Sequence, residues 1–472
     1  MSEKAKKTPK KVGLAAAILS LAVLSLIFCG GFTFLKFNTQ AIFLVGAIAM
    51  GVVALLHGYS LKDVEDYFLE GCRGAVMAAM ILMVVGAVIG SWIVSGIVPT
   101  IIYYGLGILT PSTFLVAGFL MCCLISFFTG SSYTAISTIG IALLGIGLGL
   151  DVNPAITAGM IVSGSLFGDK LSPFSDTTNM APASAGCTVF EHVYSMLWST
   201  IPAMVISAIL YFIIGLRHAG NELDMTVING IRDTIAANFN ITPIVLIVPI
   251  LTIVMTIKKM PPIMALVISA IAGIVCAFIF QPQFGFKTIM DSLGSGFSIN
   301  TEIADVNKLL SRGGMMNMMG AVCLTFLVLG MGQVLQRIGV MDAVLGKLAN
   351  AVNTPRSLVL TTLAACLLTT IVCASQYVAI VLPGQVMQPA YTRLKVQKRV
   401  LSRTLEDGGT IFCFLLPWTT SGVYVPGVLG VPVLSYAPYA FFCLLSPILC
   451  IIYAVFDICI FREPEEAATT AE

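Results

Sequence analysis

The sequence has very little charge: only 10% of its 472 residues are Asp, Glu, Lys or Arg, whereas 58% are hydrophobic. Soluble domains carry about 25% charged residues, so this composition excludes an ordinary soluble protein. The formal net charge of +2 gives no reason to expect a nucleic-acid partner. Apolar runs of about 20 residues, the length that crosses a bilayer as a helix, recur along the chain. We therefore predict an all-α, polytopic membrane protein of about 11 to 13 transmembrane helices.

The chain also lacks the common motifs of enzymes and of metal or nucleotide sites. Its 13 cysteines form no Cys-x-x-Cys pair, and most lie inside apolar runs, which indicates reduced packing residues. The three histidines have no metal-ligand spacing. There is no His-Glu-x-x-His, no Gly-x-Ser-x-Gly and no Gly-x-x-x-x-Gly-Lys-Ser/Thr, so we expect neither ATP nor a cofactor. The chain is therefore predicted not to be an enzyme; an intramembrane hydrolase, a receptor and a structural protein are weaker alternatives.

The pattern of apolar and polar segments divides the chain into six parts. A basic tail (1–11) precedes N-terminal helices (12–57), a first half (58–217), a polar linker (218–240), a second half (241–460) and an acidic tail (461–472). In each half Gly, Pro and polar residues interrupt one apolar segment, near 155–186 and near 403–434. Such interruptions are typical of re-entrant hairpins, because non-helical backbone at membrane depth must be enclosed by protein or water. The basic tail favours a cytoplasmic N-terminus.

The two halves share a short sequence likeness. SSYTAISTIG (131–140) and SQYVAIVLPG (375–384) match at Ser, Tyr, Ala, Ile and Gly. Downstream, SDTTNMAP (175–182) and WTTSGVYVP (418–426) each place two threonines before a small polar residue and a later proline. Interrupted segments at corresponding places in two halves are typical of a transporter built from repeats. We therefore expect the binding site where the broken helices of the two halves meet.

The largest polar cluster is GDKLSPFSDTTN, which offers a cation many oxygen ligands. A cation that leaves water needs carboxylate, hydroxyl, amide or carbonyl oxygens, and Pro173 frees backbone carbonyls by disfavouring a regular helix. Asp169, Asp176 and Thr178 are predicted to bind Na⁺. The other candidate ligands in this cluster are Ser172, Ser175, Thr177 and Asn179. The alternative is an acidic loop in solvent. Lys170 is expected to neutralise a neighbouring aspartate.

A second carboxylate pair, Glu406 and Asp407, stands directly before a long stretch without charge. Three threonines follow it on backbone that Gly and Pro make irregular: Thr410, Thr419 and Thr420. A carboxylate can hold either a proton or a cation, and that competition is the minimum chemistry of an antiporter. The simpler interpretation is an amphipathic helix capped by Ser402. It explains Ser402 and Arg403 better than it explains Glu406 and Asp407.

The matching segments of the two halves supply the remaining candidates. These are Ser131, Ser132 and Tyr133 in the first half and Gln376 and Tyr377 in the second. Hydroxyl groups also serve helix packing in membranes, so packing alone is the alternative for the first group. Gln376 has a strong dipole that can coordinate an ion or bond a carboxylate.

These motifs resemble those of a known family. FGDKLSPFSDTTNMAPASAG followed by FEHV, with LSRTLEDGGT, PWTTSGVY and LGV in the second half, is similar to the NhaC family of sodium/proton antiporters. Three shorter motifs extend the resemblance over about residues 70–460: SWIVSGIVPTIIYYG (91–105), RGGMMNMMG (312–320) and QYVAIVLPG (376–384). The chain departs from the family pattern after Gly130 and at Phe412, Cys413 and Phe414, where small polar residues would be expected.

The resemblance implies two inverted halves with helical hairpins, and exchange of Na⁺ for H⁺ across the cytoplasmic membrane. It assigns the family's acidic string to Asp169 and Asp176, and its second acidic pair to Glu406 and Asp407. Some members exchange malate for lactate, so an ion-coupled exchanger of small organic acids is the alternative. The expected partners are then Na⁺, protons, small organic acids in the alternative, and the lipid bilayer; a homodimer is left open.

Overall fold

The computed structural model describes residues 10–34, 37–218 and 225–463. Over these ranges the chain is helical, and no strand forms beyond an isolated bridge between Val396 and Arg462. Eight of the described helices are long and apolar enough to cross a membrane. The number rises to 11 if three pairs of helices, each bent at a short break, are counted as single spans. The prediction of an all-α, polytopic membrane protein is confirmed.

Four helices form the N-terminal part. They are α1 (Leu14–Cys29), α2 (Thr39–Leu56), α3 (Leu61–Val94) and α4 (Ile97–Ile108). α3 begins at a capping box, in which Ser60 Oγ accepts from the Asp63 N–H and the Asp63 carboxylate accepts from the Ser60 N–H. This cap starts the helix within an acidic segment, well before its apolar run. Gly96, in the left-handed region at φ 81°, turns the chain from α3 into α4.

The first half contains the first broken hairpin. Its helices are α5 (Pro111–Thr129), α6 (Ser132–Ala135), α7 (Ile141–Gly149), α8 (Pro154–Leu171), α9 (Asp176–Ala185) and α10 (Val189–His218), with a π turn at Ile136–Gly140. Gly130, at φ 68°, ends α5. Pro173 lies in the break between α8 and α9, where its ring prevents the helix from continuing.

Seven helices connect this hairpin to the second one. They are α11 (Met225–Asn238), α12 (Ile247–Ile257), α13 (Pro262–Phe280), α14 (Gly285–Gly294), α15 (Ala304–Leu310), α16 (Met319–Arg337) and α17 (Val340–Ala351), with 3₁₀ turns at Pro243–Leu246, Pro282–Phe284 and Met315–Met318. α11 falls inside the predicted polar linker. It is ordered there because Ile228, Ile231 and Ile235, on one face of the helix, are buried in the core.

The second half contains the other broken hairpin. Its helices are α18 (Pro355–Cys373), α19 (Gln376–Arg393), α20 (Lys398–Leu405), α21 (Ile411–Leu415), α22 (Thr420–Leu429), α23 (Val433–Tyr436) and α24 (Phe441–Phe456), with a π turn at Glu406–Thr410 and a 3₁₀ turn at Ala437–Tyr439. Ala374, at φ 52°, ends α18, and Pro417 lies in the break before α22. α19 is not among the eight spans, because glutamines and prolines interrupt its apolar residues.

The two halves follow one plan at a constant interval of 244 residues. The left-handed residue that ends the first helix is Gly130 in one half and Ala374 in the other. The hairpins end at left-handed glycines the same interval apart, Gly186 and Gly430. The likeness between residues 131–140 and 375–384 has this interval too. The short sequence match is therefore the visible part of an ungapped structural repeat.

The second arm of each hairpin packs against the other half. α9 lies against α19, and the side-chain amide of Gln388 donates to the Ala185 carbonyl at 3.1 Å. In the reciprocal contact α22 lies against the π turn after α6, and Tyr424 donates to the Tyr133 carbonyl at 2.8 Å. A contact that is repeated with the roles of the halves exchanged is typical of a two-fold relation between them.

Candidate functional site

The breaks of the two halves meet at a cavity of about 190 Å³. The first turns after the breaks supply most of its polar lining: Ser131, Tyr133, Asp176, Ser375, Tyr377 and Thr420. α3, α12 and α13 supply a mostly apolar wall on the other side. Asp176 is the only charged side chain in this lining, within the part of the chain that the structure describes. Because helix starts present N–H groups with partial positive charge, the cavity combines one carboxylate with several polar helix starts.

Asp169 lies beneath the first break and is only 5% exposed. Ser132 Oγ donates to one carboxylate oxygen at 2.7 Å and Ser175 Oγ donates to the other at 2.6 Å. Thr178 Oγ1 donates to the main-chain carbonyl of Asp169 at 2.8 Å. Each hydroxyl oxygen keeps lone pairs, so the same groups that bond the carboxylate can also coordinate a cation. The structure thus brings four predicted site residues into direct contact.

Lys170 is fully buried and forms an ion pair across the two halves. Its Nζ lies 2.5 Å from Asp407 Oδ1 and 2.5 Å from Ser446 Oγ. Ser446 donates to the same carboxylate oxygen at 2.7 Å, and Ser199 donates to it at 3.3 Å. Two charges removed from water are tolerated when further hydrogen bonds complete the pair. This pair therefore joins α8 of the first half to the π turn of the second.

The expected partner of Lys170 was wrong: the lysine neutralises Asp407 and not a neighbouring aspartate. Adjacent residues on a helix do not face each other, so Lys170 points away from Asp169. The same rule separates Glu406 from Asp407, since Asp407 contacts Lys170 while Glu406 accepts from Thr410 Oγ1 at 2.9 Å. The two second-half carboxylates therefore have different partners.

Glu406 is fully buried at the start of the π turn. One of its carboxylate oxygens, Oε2, has no hydrogen-bond partner among the described residues. The side chain lies within electrostatic range of both Lys170 and Asp169. π turns insert one extra residue into a helix and are frequent at functional sites, because they redirect side chains. The three buried carboxylates and one lysine thus form one charged cluster under the cavity.

Some predicted residues bond the backbone of the breaks. They are Ser172, Asn179 and Thr419. Asn179, for example, donates to the Ser175 carbonyl at 2.7 Å, and Thr419 Oγ1 accepts from the Gly422 N–H at 3.0 Å. These contacts give the irregular backbone a defined shape. The side chains of these three residues are therefore bonded to the backbone of the breaks.

The remaining predicted residues are Tyr133, which lines the cavity, and Thr177 and Gln376, which are buried. Thr177 Oγ1 is 3.0 Å from Ser175 Oγ, and Tyr133 OH is 2.8 Å from Ser421 Oγ. Gln376 is almost fully buried, and its Oε1 has no hydrogen-bond partner among the described residues. In the repeat, Gln376 stands where the first half has Ser132, the residue that donates to Asp169.

Ser402 does not cap a helix. α20 begins at Lys398, so Ser402 lies inside it, where its Oγ is 2.6 Å from His192 Nδ1.

Several polar residues around the site are not among the predicted ones. They are Ser199 and Ser446 at the ion pair, and Thr252 and Thr256 in the cavity wall. Each lies in a mainly apolar helix, where scattered hydroxyl groups give only a weak clustering signal. The spacing of Thr252 and Thr256, one helical turn apart, is the one pattern that indicates a shared face.

Comparisons with known proteins agree with this architecture. The family described as the Na⁺/H⁺ antiporter family matches residues 2–181 and 164–458. The chain is 35% identical over 454 residues to the Na⁺/H⁺ antiporter NhaC of Alkalihalophilus pseudofirmus, a match that covers 96% of this chain and 98% of that protein. It is 37% identical to the malate-2H⁺/Na⁺-lactate antiporter of Bacillus subtilis, over 88% of each chain. It is 32% identical to the arginine/ornithine antiporter ArcD of Halobacterium salinarum, over 98% and 97% of the two chains.

The two family matches include both hairpins, the cavity residues that follow the breaks and the buried charged cluster. On this evidence the chain belongs to the Na⁺/H⁺ antiporter family.

Proposed function

We propose that this multi-pass membrane protein is a secondary active transporter, and not an enzyme, that exchanges Na⁺ for H⁺ across the cytoplasmic membrane by alternating access. The observation that carries the proposal is the buried charged cluster: carboxylates of both halves lie together directly under a polar cavity. A cluster of this kind can exchange one bound cation for another, because its net charge changes little. The relatives named as Na⁺/H⁺ antiporters support the same activity.

In this proposal Na⁺ enters the cavity at Asp176, the one carboxylate of its lining. It then binds at Asp169, where the hydroxyls of Ser132, Ser175 and Thr178 supply further oxygens. These are hard oxygen ligands, the kind that sodium-like cations prefer.

Glu406 is the proton-carrying carboxylate of this proposal. A buried carboxylate with one oxygen unpartnered is costly when it is charged, so protonation stabilises it. Lys170 has its charge balanced by Asp407, which leaves Glu406 and Asp169 to alternate between a proton and Na⁺. Release of Na⁺ from Asp169 on one side of the membrane then favours protonation of the cluster. On the other side, release of the proton favours binding of Na⁺.

The test uses purified protein in liposomes that contain a pH-sensitive dye. Pulses of Na⁺, Li⁺ and K⁺ are applied separately to the wild type and to Asp176→Asn and Asp169→Asn. We expect Na⁺ to move protons in the wild type and in neither variant. Asp342→Asn is the matched control, since it removes an exposed carboxylate paired with Lys11 at the surface. Wild-type exchange in Asp169→Asn would refute the site.

Exchange of small organic acids is the second candidate. The cavity volume of about 190 Å³ exceeds the needs of a bare ion, and several helix starts that favour a carboxylate surround it. The relative named as a malate and lactate antiporter supports this alternative. Malate and lactate, applied to the same liposomes without Na⁺, distinguish the two activities. A proton signal with these acids and silence with Na⁺ would assign the second.

The cytoplasmic location of the N-terminus and a homodimer remain predictions. The basic tail supports the first. Labelling of a cysteine added at residue 2 of a variant whose own 13 cysteines are replaced by serine or alanine, in sealed cells and in inverted vesicles, tests it directly.

A further inference from the structure

α10 carries a buried polar stripe that the exchange site does not use. His192, Ser195 and Ser199 follow one another at helical spacing, and all three are fully buried. Buried polar groups are costly unless they are hydrogen-bonded, so a stripe of this length needs partners. The helices packed against α10 include α20 and α24, which contribute polar groups of their own.

Two direct bonds link this stripe to α20 and the π turn after it. His192 Nδ1 lies 2.6 Å from Ser402 Oγ at one end. At the other end Ser199 Oγ donates to Asp407 Oδ1 at 3.3 Å. Ser195 lies between them, about one helical turn from each. The stripe therefore ends at the buried ion pair of the charged cluster.

Polar atoms along the stripe have no hydrogen-bond partner among the described residues. They are His192 Nε2, Ser195 Oγ and Asp407 Oδ2. In folded proteins the great majority of such buried atoms bond to protein or to ordered water. A buried water makes about three hydrogen bonds, and these atoms offer donors and acceptors to several waters in a row. The stripe therefore has the chemistry of a hydrated path.

A polar surface pocket of about 330 Å³ lies beside the outer end of the stripe. Its lining is Gly186, Cys187, Glu191, Gln397, Lys398, Arg399 and Glu463. The Cys187 side chain interacts with Ser402, and Arg399 lies one turn before Ser402 in α20. The linings of this pocket and of the cavity between the halves share no residue, so the two are separate spaces.

We propose that the stripe is a proton path from this pocket to the charged cluster that contains Glu406, which it reaches beside Asp407, separate from the cavity through which Na⁺ enters. It rests on the proposed exchange function. A proton from water in the pocket binds one ring nitrogen of neutral His192, while the other ring nitrogen releases its proton to Ser402 or an adjacent water. Transfer along Ser195, Ser199 and the waters between them then protonates a carboxylate of the cluster. Only O–H and N–H bonds form and break.

The charged groups on the elements along this path come from α8, α10, α20 and the π turn. They are Lys170 on α8, Glu191 on α10, Arg399 and Arg403 on α20, and Glu406 and Asp407 in the π turn. Three of these groups are cationic and three are anionic, so their charges alone do not decide between Na⁺ and a proton. Neutral hydroxyl and imidazole groups can pass on a proton, whereas Na⁺ needs several oxygen ligands at once, so we attribute selectivity for protons to the neutral groups of the stripe.

Three variants test the path in liposomes: His192→Gln, Ser195→Ala and Ser402→Ala. Ser207→Ala is the matched control, because Ser207 is a fully buried serine of α10 whose hydroxyl donates to the Ala203 carbonyl of its own helix. Two rates are compared, Na⁺-driven proton movement and counterflow of radioactive Na⁺ against Na⁺, which needs no proton. We expect the variants to slow proton movement by about tenfold or more while counterflow stays at the wild-type rate.

The outcomes are distinct. Wild-type proton movement in both His192→Gln and Ser195→Ala would overturn the path. So would an equal loss of both rates in His192→Gln with normal Ser195→Ala, since that pattern indicates a structural role. A wild type that responds to no Na⁺ pulse would overturn the exchange function first, and the path with it. Slow proton movement with intact counterflow would support the path.

Discussion

The two halves of this protein have the same backbone plan and different charges. Breaks, left-handed residues and interior prolines recur at an interval of 244 residues, as in Gly186 and Gly430. At the same interval, Asp169 is replaced by Cys413, and Lys170 by Phe414. Shape is therefore repeated, while the charged groups occur once. In the proposed exchange, a cation that enters between the two halves meets a single charged cluster, to which the halves contribute unequally.

Each half has charged residues that the other half lacks at the equivalent positions, so charge has not simply been lost from one half. Glu406 and Asp407 stand where the first half has Val162 and Ser163. The lysine of one half therefore meets an aspartate that only the other half contains, at a distance of 2.5 Å. Divergence of the two copies has produced an ion pair that two identical copies would not form.

Asp169→Cys, which gives the first half the residue of its counterpart, is expected to have the largest effect. Exchange should fall to the rate of protein-free liposomes, because the carboxylate that bonds Ser132 and Ser175 is lost. Folding should persist, since a cysteine is accommodated at the equivalent position. The measurement is Na⁺-driven proton flux, with a thermal unfolding curve of the same preparation.

Cys413→Ser is the control from the other half, and it should retain exchange. If Asp169→Cys kept more than a small part of the wild-type flux, the unequal charges would not define the site.

Lys170→Met should cause the next largest effect, a loss of about 3–5 kcal/mol in the free energy of unfolding, because it leaves the Asp407 charge buried and unpaired. Adding Asp407→Ser, the residue of the first half at that position, should restore most of this stability. Denaturant unfolding in mixed micelles measures both.

The surface pair of Arg337 and Glu70 provides the comparison, since both side chains are substantially exposed. Arg337→Met should cost no more than about 1 kcal/mol. If Lys170→Met and Arg337→Met lowered the free energy of unfolding equally, the buried ion pair would contribute no more to stability than the surface pair.

Effects smaller than that of Lys170→Met are expected where the halves differ in a single methyl group. A Cβ added to Gly130 would lie 2.6 Å from the backbone of Phe174, so Gly130→Ala should lower the free energy of unfolding by about 2 kcal/mol. Ala374 already has a left-handed φ of 52°, so Ala374→Gly should relieve strain and raise stability by up to about 1 kcal/mol.

Thermal unfolding of both variants under one condition is sufficient. Shifts of the unfolding temperature in the same direction would contradict the prediction that a methyl group is unfavourable at both positions.

Much of the fold could be predicted from the sequence, because its signals are local. Runs of apolar residues predict most of the spans, and Pro173 and Pro417 mark the breaks within the interrupted segments. α11 was less visible, since polar residues surround its buried isoleucines. The correspondence between the halves extends far beyond the ten residues that first indicate it. The backbone geometry is the same at many positions where the side chains differ.

The site was predictable only in its residue types. The oxygen-rich string contained Asp169, but its bond to Ser132 depends on the turn at Gly130. The partner of Lys170 lies 237 positions away, so no spacing rule reveals it. The stripe on α10 was hidden for another reason. One polar residue per turn scarcely lowers the hydropathy of a long apolar helix. That the polar residues of α10 face polar groups on other helices is visible only once those helices are packed against it.

The exchanged packing of the hairpin arms has a consequence for biogenesis. During synthesis α9 leaves the ribosome long before α19, the helix against which it packs. Until the second half is inserted, the first break therefore lacks one wall and its polar groups lack their enclosure. A chain that stops between the halves would present this unfinished surface to lipid and to quality-control proteases. The last steps of assembly must thus be the mutual docking of two inserted halves, and neither half can mature alone.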